Sequence, residues 1–126
     1  MHHLAPKLLP VTPDHLATDG SEIRELLPVT GASLAHCTLP PNQTTKAVKH
    51  RTVEEIWYVL AGRGQVWRKL GIDELVIEAS PGMALTIPLG THFQFRNTGS
   101  EPFVFLIATS PRWPGADEAI PVPNYW

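Results

Sequence analysis

The amino-acid sequence predicts a single all-β domain. Its 126 residues include 13 prolines and nine glycines, which interrupt the chain at short intervals. Few windows show apolar residues at the 3.6-residue period of an amphipathic helix. Short segments rich in β-branched and aromatic residues lie between the breaks. Short strands at even spacing, separated by turn residues, are typical of a sandwich or a small barrel.

Nine segments qualify as strands, because each combines apolar side chains with turn residues at its ends. The turn signals include two prolines followed by asparagine at 40–42 and two glycines at 62–64. The predicted strands are residues 21–27, 30–39, 44–49, 54–60, 65–70, 74–78, 83–87, 93–96 and 103–109.

Composition and charge favour a small molecule or another protein as the partner. Ten basic and twelve acidic residues give a formal net charge of −2, so there is no electrostatic reason to expect nucleic acid or an anionic membrane. Cys37 is the only cysteine, which excludes an internal disulfide and favours a reducing cytoplasm. The longest apolar run, 103–108, is far too short to cross a bilayer.

The two ends of the chain lie outside the strand pattern. We interpret the start, with His2 and His3, as a disordered terminus. The end is too proline-rich for a central strand but carries Trp113, Tyr125 and Trp126. Because exposed aromatic patches mark contacts, we expect it to pack on the barrel or on a partner subunit. The predicted organisation is an N-terminal arm (1–20), a β-barrel (21–109) and a C-terminal tail (110–126).

The candidate functional residues lie in and just before the predicted strand 54–60. Period-2 alternation places Glu55 and Trp57 on one face of that strand. An ionised carboxylate on an inward face requires a partner or a metal. His50 lies five residues earlier, and imidazole with carboxylate suits a divalent transition metal. The alternative is that the glutamates of this strand lie at a hydrated rim and that His50 is an ordinary loop histidine.

Two spaced patterns in this chain resemble the motifs of the cupin superfamily, whose members are small jelly-roll β-barrels. The first family motif, G-(x)5-H-x-H-(x)3,4-E-(x)6-G, corresponds to Asn42-(x)5-Val48-x-His50-(x)4-Glu55-(x)6-Gly62. The second, G-(x)5-P-x-G-(x)2-H-(x)3-N, corresponds to Gly82-(x)5-Pro88-x-Gly90-(x)2-Phe93-(x)3-Asn97. Asparagine in place of the first glycine is a mild change, since it tolerates a left-handed conformation. The resemblance covers about 21–109 and implies an all-β, single-domain cupin jelly-roll barrel.

The chain departs from the family pattern at two positions that matter for metal binding. Val48 and Phe93 stand where metal-binding cupins have histidines, so the resemblance supplies only His50 and Glu55 of four ligands. A catalytic metal needs at least three protein ligands and an open position. A bulge that turned His92 inward would give a third ligand. The expected cofactor is then one divalent transition metal (Fe, Mn, Zn, Ni or Cu), and otherwise none.

Without a metal, His50 and Glu55 have another use. They can form a hydrogen-bonded pair in which the carboxylate raises the basicity of the imidazole and prepares a general base near neutral pH. A mostly apolar pocket would surround such a pair. We predict that this pocket is lined by His36, Trp57, Phe93 and Phe95, and His36 is also a candidate metal ligand. The alternative for the aromatic residues is an ordinary barrel core.

The resemblance implies two classes of function. We expect an enzyme of the isomerase, cyclase, lyase or dioxygenase type, which acts on a small oxygen-containing substrate in the barrel mouth with His50 and Glu55 as catalytic residues. The alternative is a non-catalytic, metal-free cupin that binds or senses a small molecule, which the apolar Val48 and Phe93 favour. We expect a cytoplasmic homodimer with a small-molecule ligand and with neither a nucleic-acid nor a membrane partner.

Overall fold

The computed structural model describes residues 4–126, so His2 and His3 lie outside the described residues. Eleven strands and one 3-10 helix, Ala116–Glu118, make up its secondary structure. No helix in this part of the chain is long and apolar enough to cross a membrane. The strands are β1 (His15–Leu16), β2 (Glu22–Val29), β3 (Ala32–Leu39), β4 (Val48–His50), β5 (Glu54–Ala61), β6 (Gly64–Leu70), β7 (Asp73–Ala79), β8 (Ala84–Ile87), β9 (His92–Asn97), β10 (Phe103–Ser110) and β11 (Ala119–Pro121).

The strands form two antiparallel sheets that share one hydrophobic core. The six-stranded sheet has the order β1-β2-β3-β10-β5-β8, and the five-stranded sheet has the order β11-β4-β9-β6-β7. The core contains buried aromatic side chains from both sheets, including Phe93 and Phe95 from β9 and Phe103 and Phe105 from β10. The predicted all-β fold class is therefore confirmed.

All nine predicted strands occur, and eight of them begin and end within two residues of the predicted bounds. The exception is 44–49, where β4 begins only at Val48. The physical reason is that the main-chain N–H groups of this segment have partners elsewhere. Lys46 donates to the main-chain oxygen of Asp19 (2.9 Å), and Ala47 donates to Oδ1 of Asn124 (2.9 Å). The arm and the tail therefore accept hydrogen bonds from main-chain N–H groups that would pair with a neighbouring strand if β4 began earlier.

Alternation along β5 separates the core from the surface. Glu55, Trp57 and Val59 are 6%, 1% and 0% exposed, whereas Ile56 and Tyr58 between them are 57% and 47% exposed. The predicted inward face of this strand is confirmed. The Trp57 ring anchors that face by stacking on a neighbouring phenylalanine ring of β10, with 4.2 Å between the ring centroids.

Several turns contain a residue with positive φ, and the sequence supplies residues that tolerate it, as two of these turns show. Asn42 adopts a left-handed conformation with φ 66°, which agrees with its place at the first glycine of the family motif. Gly62 has φ 79°, and a Cβ atom there would lie 2.2 Å from the main-chain oxygen of Pro102. Only glycine fits this close approach between the β5–β6 turn and the segment before β10.

The C-terminal tail packs on the barrel of its own chain. Its strand β11 pairs with β4, and Ala119 lies opposite His50. Further along, the main-chain N–H groups of Tyr125 and Trp126 donate to Oε1 of the buried Gln94, at 2.8 and 3.0 Å. The tail therefore extends the five-stranded sheet and covers part of its outer surface.

Glu118 attaches the tail to the turn that joins β4 to β5. Its carboxylate, 4% exposed, accepts hydrogen bonds from Oγ1 of Thr52 (2.6 Å) and from the N–H groups of Thr52 and Val53. This turn separates His50 from Glu55 in the sequence. A carboxylate of the tail thus fixes the geometry of the segment that carries both candidate catalytic residues.

Replacing Glu118 by alanine should lower the free energy of unfolding by about 1–3 kcal/mol, because three donors lose their acceptor and one of them is the buried Val53 N–H. Asp117→Ala is the matched control. Its side chain is exposed, and its main-chain oxygen, which the substitution keeps, accepts a hydrogen bond from Nε of Arg51 (3.0 Å). Urea denaturation measures both variants, and equal losses would contradict the role assigned to Glu118.

Candidate functional site

A cavity of about 640 Å³ is bordered by both sheets, the arm and the tail. It contains the two residues that the sequence singled out, His50 at the end of β4 and Glu55 near the start of β5. Its walls combine aromatic and aliphatic side chains with several polar and charged groups, as small-molecule sites commonly do. The aromatic side chains that line it are Trp57, Phe93, Phe95, Phe105 and Trp113.

Glu55 is a buried carboxyl group without a cationic partner. Its Oε1 accepts a hydrogen bond from Nε1 of Trp57 and its Oε2 accepts one from Oγ1 of Thr109, both at 3.0 Å. Burial raises the pKa of Glu55 to about 7, although these two hydrogen bonds act in the opposite direction. This carboxyl group can therefore take up or release a proton near neutral pH.

His50 is a buried imidazole with an unused polar atom. It is 7% exposed, and its ring lies edge-on to the rings of Phe93 and Trp113, each with centroids 5.2 Å away. Its Nδ1 is buried and has no hydrogen-bond partner in the described structure. Burial lowers the pKa of His50 to about 4, although the negative charge of Glu118 acts to raise it. The imidazole is therefore neutral at pH 7.

The predicted hydrogen-bonded pair of His50 and Glu55 does not form. Both oxygens of the Glu55 carboxylate accept from other side chains, and no hydrogen bond from this residue reaches His50. The prediction that the carboxylate raises the basicity of the imidazole is corrected as well, because burial outweighs the nearby charge and lowers the pKa. The two residues line one cavity, and the group that titrates near neutral pH is the carboxyl.

The structure places the other predicted site residues in two groups. Trp57, Phe93 and Phe95 line the cavity. His36 is not among the cavity-lining residues, because its neighbour Cys37, 1% exposed, occupies the inward position of β3. His92 points away from the cavity for the same reason, since Phe93 takes the inward position. The β6–β9 ladder is regular at this point and has no bulge that would turn His92 inward and Phe93 outward. The predictions of His36 in the pocket and His92 as a ligand are therefore corrected.

The side chains at the family's metal positions do not fit a metal ion. Val48 and Phe93 lie directly opposite each other in the β4–β9 pairing and are 1% and 3% exposed. Two apolar groups thus occupy the places of two ligands. Among residues 4–126, no group of three or more His, Cys, Asp or Glu side chains is arranged to hold a metal. His50 and Glu55 alone do not make a catalytic metal site.

Several residues of the site were not predicted from the sequence. Asp19 in the arm, Cys37 on β3, Thr109 on β10 and Trp113 in the tail all line the cavity. Alternation along the predicted strand 103–109 would have placed Thr109 on the same face as Phe103 and Phe105. No local signal marks Asp19 or Trp113, because they reach the cavity through tertiary packing of the two chain ends.

Glu55 and His50 should give opposite pH dependences of stability. The pKa of folded Glu55, about 7, lies above its ordinary 4.5, so its contribution is complete below pH 4.5 and is lost as the pH rises through 7. The pKa of folded His50, about 4, lies below its ordinary 6.5, so its contribution is present above pH 6.5 and is lost as the pH falls through 4. Relative to wild type, Glu55→Gln should gain up to about 3 kcal/mol in unfolding free energy between pH 4.5 and 8. His50→Gln should gain relative stability toward acid pH.

Urea denaturation across this pH range measures both dependences. Glu54→Gln is the matched control, since Glu54 is exposed on the outer face of the same strand and should show no such pH dependence. A flat difference between Glu55→Gln and wild type would show that Glu55 titrates normally in the folded state.

Restoring the two absent ligands should restore metal binding. In the double variant Val48→His and Phe93→His, two histidines would face each other across β4 and β9 beside His50. We expect this variant to retain about one Zn²⁺, Ni²⁺ or Co²⁺ per chain after gel filtration, and we expect the wild type to retain much less. Elemental analysis before and after chelator treatment measures the stoichiometry, and each single variant serves as a control. Stoichiometric metal in the wild type would overturn the conclusion that its ligand set is incomplete.

Comparisons with known proteins agree with this architecture. Residues 35–109 match the family model described as a cupin domain. An uncharacterized protein of Methanocaldococcus jannaschii is 33% identical over 111 residues, which are 84% of this chain and 86% of that protein.

Two solved structures share the fold at low sequence identity. A protein with a double-stranded β-helix domain from Klebsiella pneumoniae superimposes with a TM-score of 0.69 at 17% identity, over 87% of this chain and 90% of that one. A variant of oxalate decarboxylase from Bacillus subtilis gives a TM-score of 0.71 at 15% identity, over 85% of this chain but only 29% of that one. The family match covers more than half of the chain and confirms the resemblance seen in the two motifs. The chain belongs to the cupin superfamily.

Proposed function

We propose that this cupin is an acid–base enzyme of the isomerase, cyclase or lyase type, which acts on a small oxygen-containing substrate inside the cavity. The observation that carries this proposal is the Glu55 carboxyl, which is buried among aromatic side chains in the cavity and has its pKa raised to about 7. A group that titrates near the working pH is suited to both halves of a proton transfer. The acid–base role therefore falls to Glu55, and His50 takes a different one.

The residues around Glu55 support a proton-transfer step. In its ionised form, Glu55 would take a proton from a substrate carbon next to a carbonyl group, and the C–H electron pair would move toward the carbonyl oxygen. The protonated carboxyl would then return the proton to a neighbouring position. The Trp57 and Thr109 donors hold the carboxyl in place during both halves.

His50 would act on the substrate oxygen. It is neutral at pH 7, and its buried Nδ1 has no partner within the described structure. A neutral imidazole can donate a hydrogen bond from its protonated ring nitrogen to a substrate oxygen that gains negative charge. The apolar ring of Phe93 beside it would keep water away from that bond and so strengthen it.

A second candidate is a cupin that binds or senses a small molecule without turnover. The specific observation in its favour is the pair of buried apolar side chains, Val48 and Phe93, at the two absent ligand positions. A cavity of about 640 Å³ whose walls combine aromatic and aliphatic side chains with polar groups can hold a small organic molecule whether or not a reaction follows.

Two expectations about the whole protein stay proposals. A homodimer is supported by the outer face of β5, where Ile56, Tyr58 and Leu60 form a row of apolar side chains that are 57%, 47% and 43% exposed. A cytoplasmic location is supported by the single cysteine, Cys37, which is buried and cannot form a disulfide within the chain.

Hydrogen exchange at substrate carbon tests the acid–base proposal on compounds of the expected class. A panel of small oxo- and hydroxy-compounds is incubated with the protein in D₂O, and the loss of C–H signals is followed by proton NMR. We expect the wild type to accelerate exchange in at least one compound and expect Glu55→Gln to slow it by about 10²–10⁴-fold. Glu54→Gln, whose side chain lies on the outer face of β5, should keep the wild-type rate.

The same spectra separate the two candidate functions. If a compound changes its chemical shifts on binding to the wild type and to Glu55→Gln, but neither protein accelerates its C–H exchange, the result would contradict the enzyme and support the binding module.

A further inference from the structure

We propose that the cavity takes a ligand that carries an organic ammonium group, bound between the carboxyl groups of Asp19 and Glu55. This inference rests on the proposed function, because it names the substrate class of the same cavity. It starts from two of the three acidic side chains that line the cavity, Asp19 in the arm and Glu55 on β5; the third, Glu25 on β2, is exposed.

Asp19 is held with one carboxylate oxygen unused. Its Oδ1 accepts hydrogen bonds from the N–H and the hydroxyl of Ser21, at 2.8 and 2.6 Å. Its main-chain oxygen accepts from the N–H of Lys46 at 2.9 Å, which fixes the arm on the barrel. No hydrogen bond to Oδ2 occurs within the described structure. The carboxylate is therefore rigidly placed at the cavity, and a ligand would find an acceptor that is already oriented.

Neither acid has a cationic side chain as its partner. The ion pair found among residues 4–126 joins Arg24 to Glu22, at 3.8 Å, and does not involve the cavity acids. Lys7 and Arg112 border the cavity, but both are exposed, and Nζ of Lys7 donates to a main-chain oxygen of β2 (2.7 Å). Burial raises the pKa of both acids, which is the expected response of carboxyl groups that lack a countercharge. A cationic group of the ligand would supply that charge.

His50 gives a second and independent indication that a polar ligand belongs here. This side chain is 7% exposed, lines the cavity and carries a buried Nδ1 without a partner. Buried polar side chains in folded proteins are nearly always hydrogen-bonded, so this unpartnered imidazole at the cavity wall can accept or donate a hydrogen bond to a polar group of the ligand. Because the imidazole is neutral at pH 7, it does not repel a cation.

The aromatic walls suit the same class of ligand. Trp57, Phe93 and Trp113 line the cavity together with the two acids. Aromatic ring faces attract ammonium groups, most strongly where water is excluded, and tryptophan is the strongest of them. A neutral ligand would gain less from this combination of rings and unpaired carboxylates, and the carboxylates would repel an anionic ligand.

Three probes with one ring and different head groups test this proposal on the full-length protein. Benzylammonium, benzyl alcohol and benzoate are titrated calorimetrically at about pH 8, where most of Glu55 is ionised. We expect benzylammonium to bind at least about tenfold more tightly than benzyl alcohol, and benzoate to bind most weakly. Asp19→Asn should reduce benzylammonium affinity to about that of the alcohol and should keep the hydrogen bonds from Ser21, since the amide oxygen still accepts.

Asp73→Asn is the matched control, because Asp73 is exposed at the start of β7 and does not line the cavity. It should leave all three affinities unchanged. If Asp19→Asn fails to fold, Glu55→Gln takes its place and should cause the same loss of preference.

Equal binding of the amine and the alcohol, or no benzylammonium binding at millimolar concentration, would overturn the proposal. So would a preference for benzoate, which would assign the specificity to Lys7 and Arg112 at the cavity mouth. These outcomes are distinct from failure of the proposed function. Carbon–hydrogen exchange without ammonium preference would leave the acid–base enzyme intact, and ammonium preference without exchange would refute only the enzyme.

Discussion

A carboxyl group buried among aromatic side chains without a countercharge is the constraint on which the site depends. Glu55 is tolerated there because the β-sheet brings it two donors. Trp57 lies two residues after Glu55 on the same face of β5. Thr109 lies directly opposite Glu55 on the antiparallel strand β10. Both hydrogen bonds follow from strand geometry alone. They hold the carboxyl but do not offset its desolvation, so the pKa stays high.

The cavity is lined by residues of the two chain ends as well as by residues of the barrel strands. Glu118 in the tail holds the turn between His50 and Glu55, and Trp113 covers one side of the imidazole. In the arm, Asp19 adds another carboxyl to the cavity. Main-chain hydrogen bonds to the barrel anchor both segments. The chemistry of the cavity is therefore a property of the whole chain.

The sequence predicted what depends on local pattern and missed what depends on packing between distant segments. Alternation along 54–60 placed Glu55 and Trp57 inward, and turn residues marked the limits of nearly every strand. The same parity rule decides against His36 and His92, since each is one residue away from an inward neighbour. Asp19 has no such pattern, because an arm that follows the edge of a sheet carries no periodic signal of its contacts.

The apolar side chains at two of the family's ligand positions explain why we propose proton transfer by Glu55 and not by His50. Phe93 stands where a ligand would be and packs its edge against His50, and Val48 lies opposite it across the ladder. In a site with metal, both His50 and Glu55 would be held as deprotonated ligands by a positive charge. Here the same positions face hydrocarbon, which favours the neutral form of each group: the imidazole loses its proton and the carboxyl keeps one to a higher pH. With Val48 and Phe93 at these positions, His50 is a neutral imidazole and Glu55 is a carboxyl that titrates near pH 7, and this is the physical basis for proposing proton transfer by Glu55.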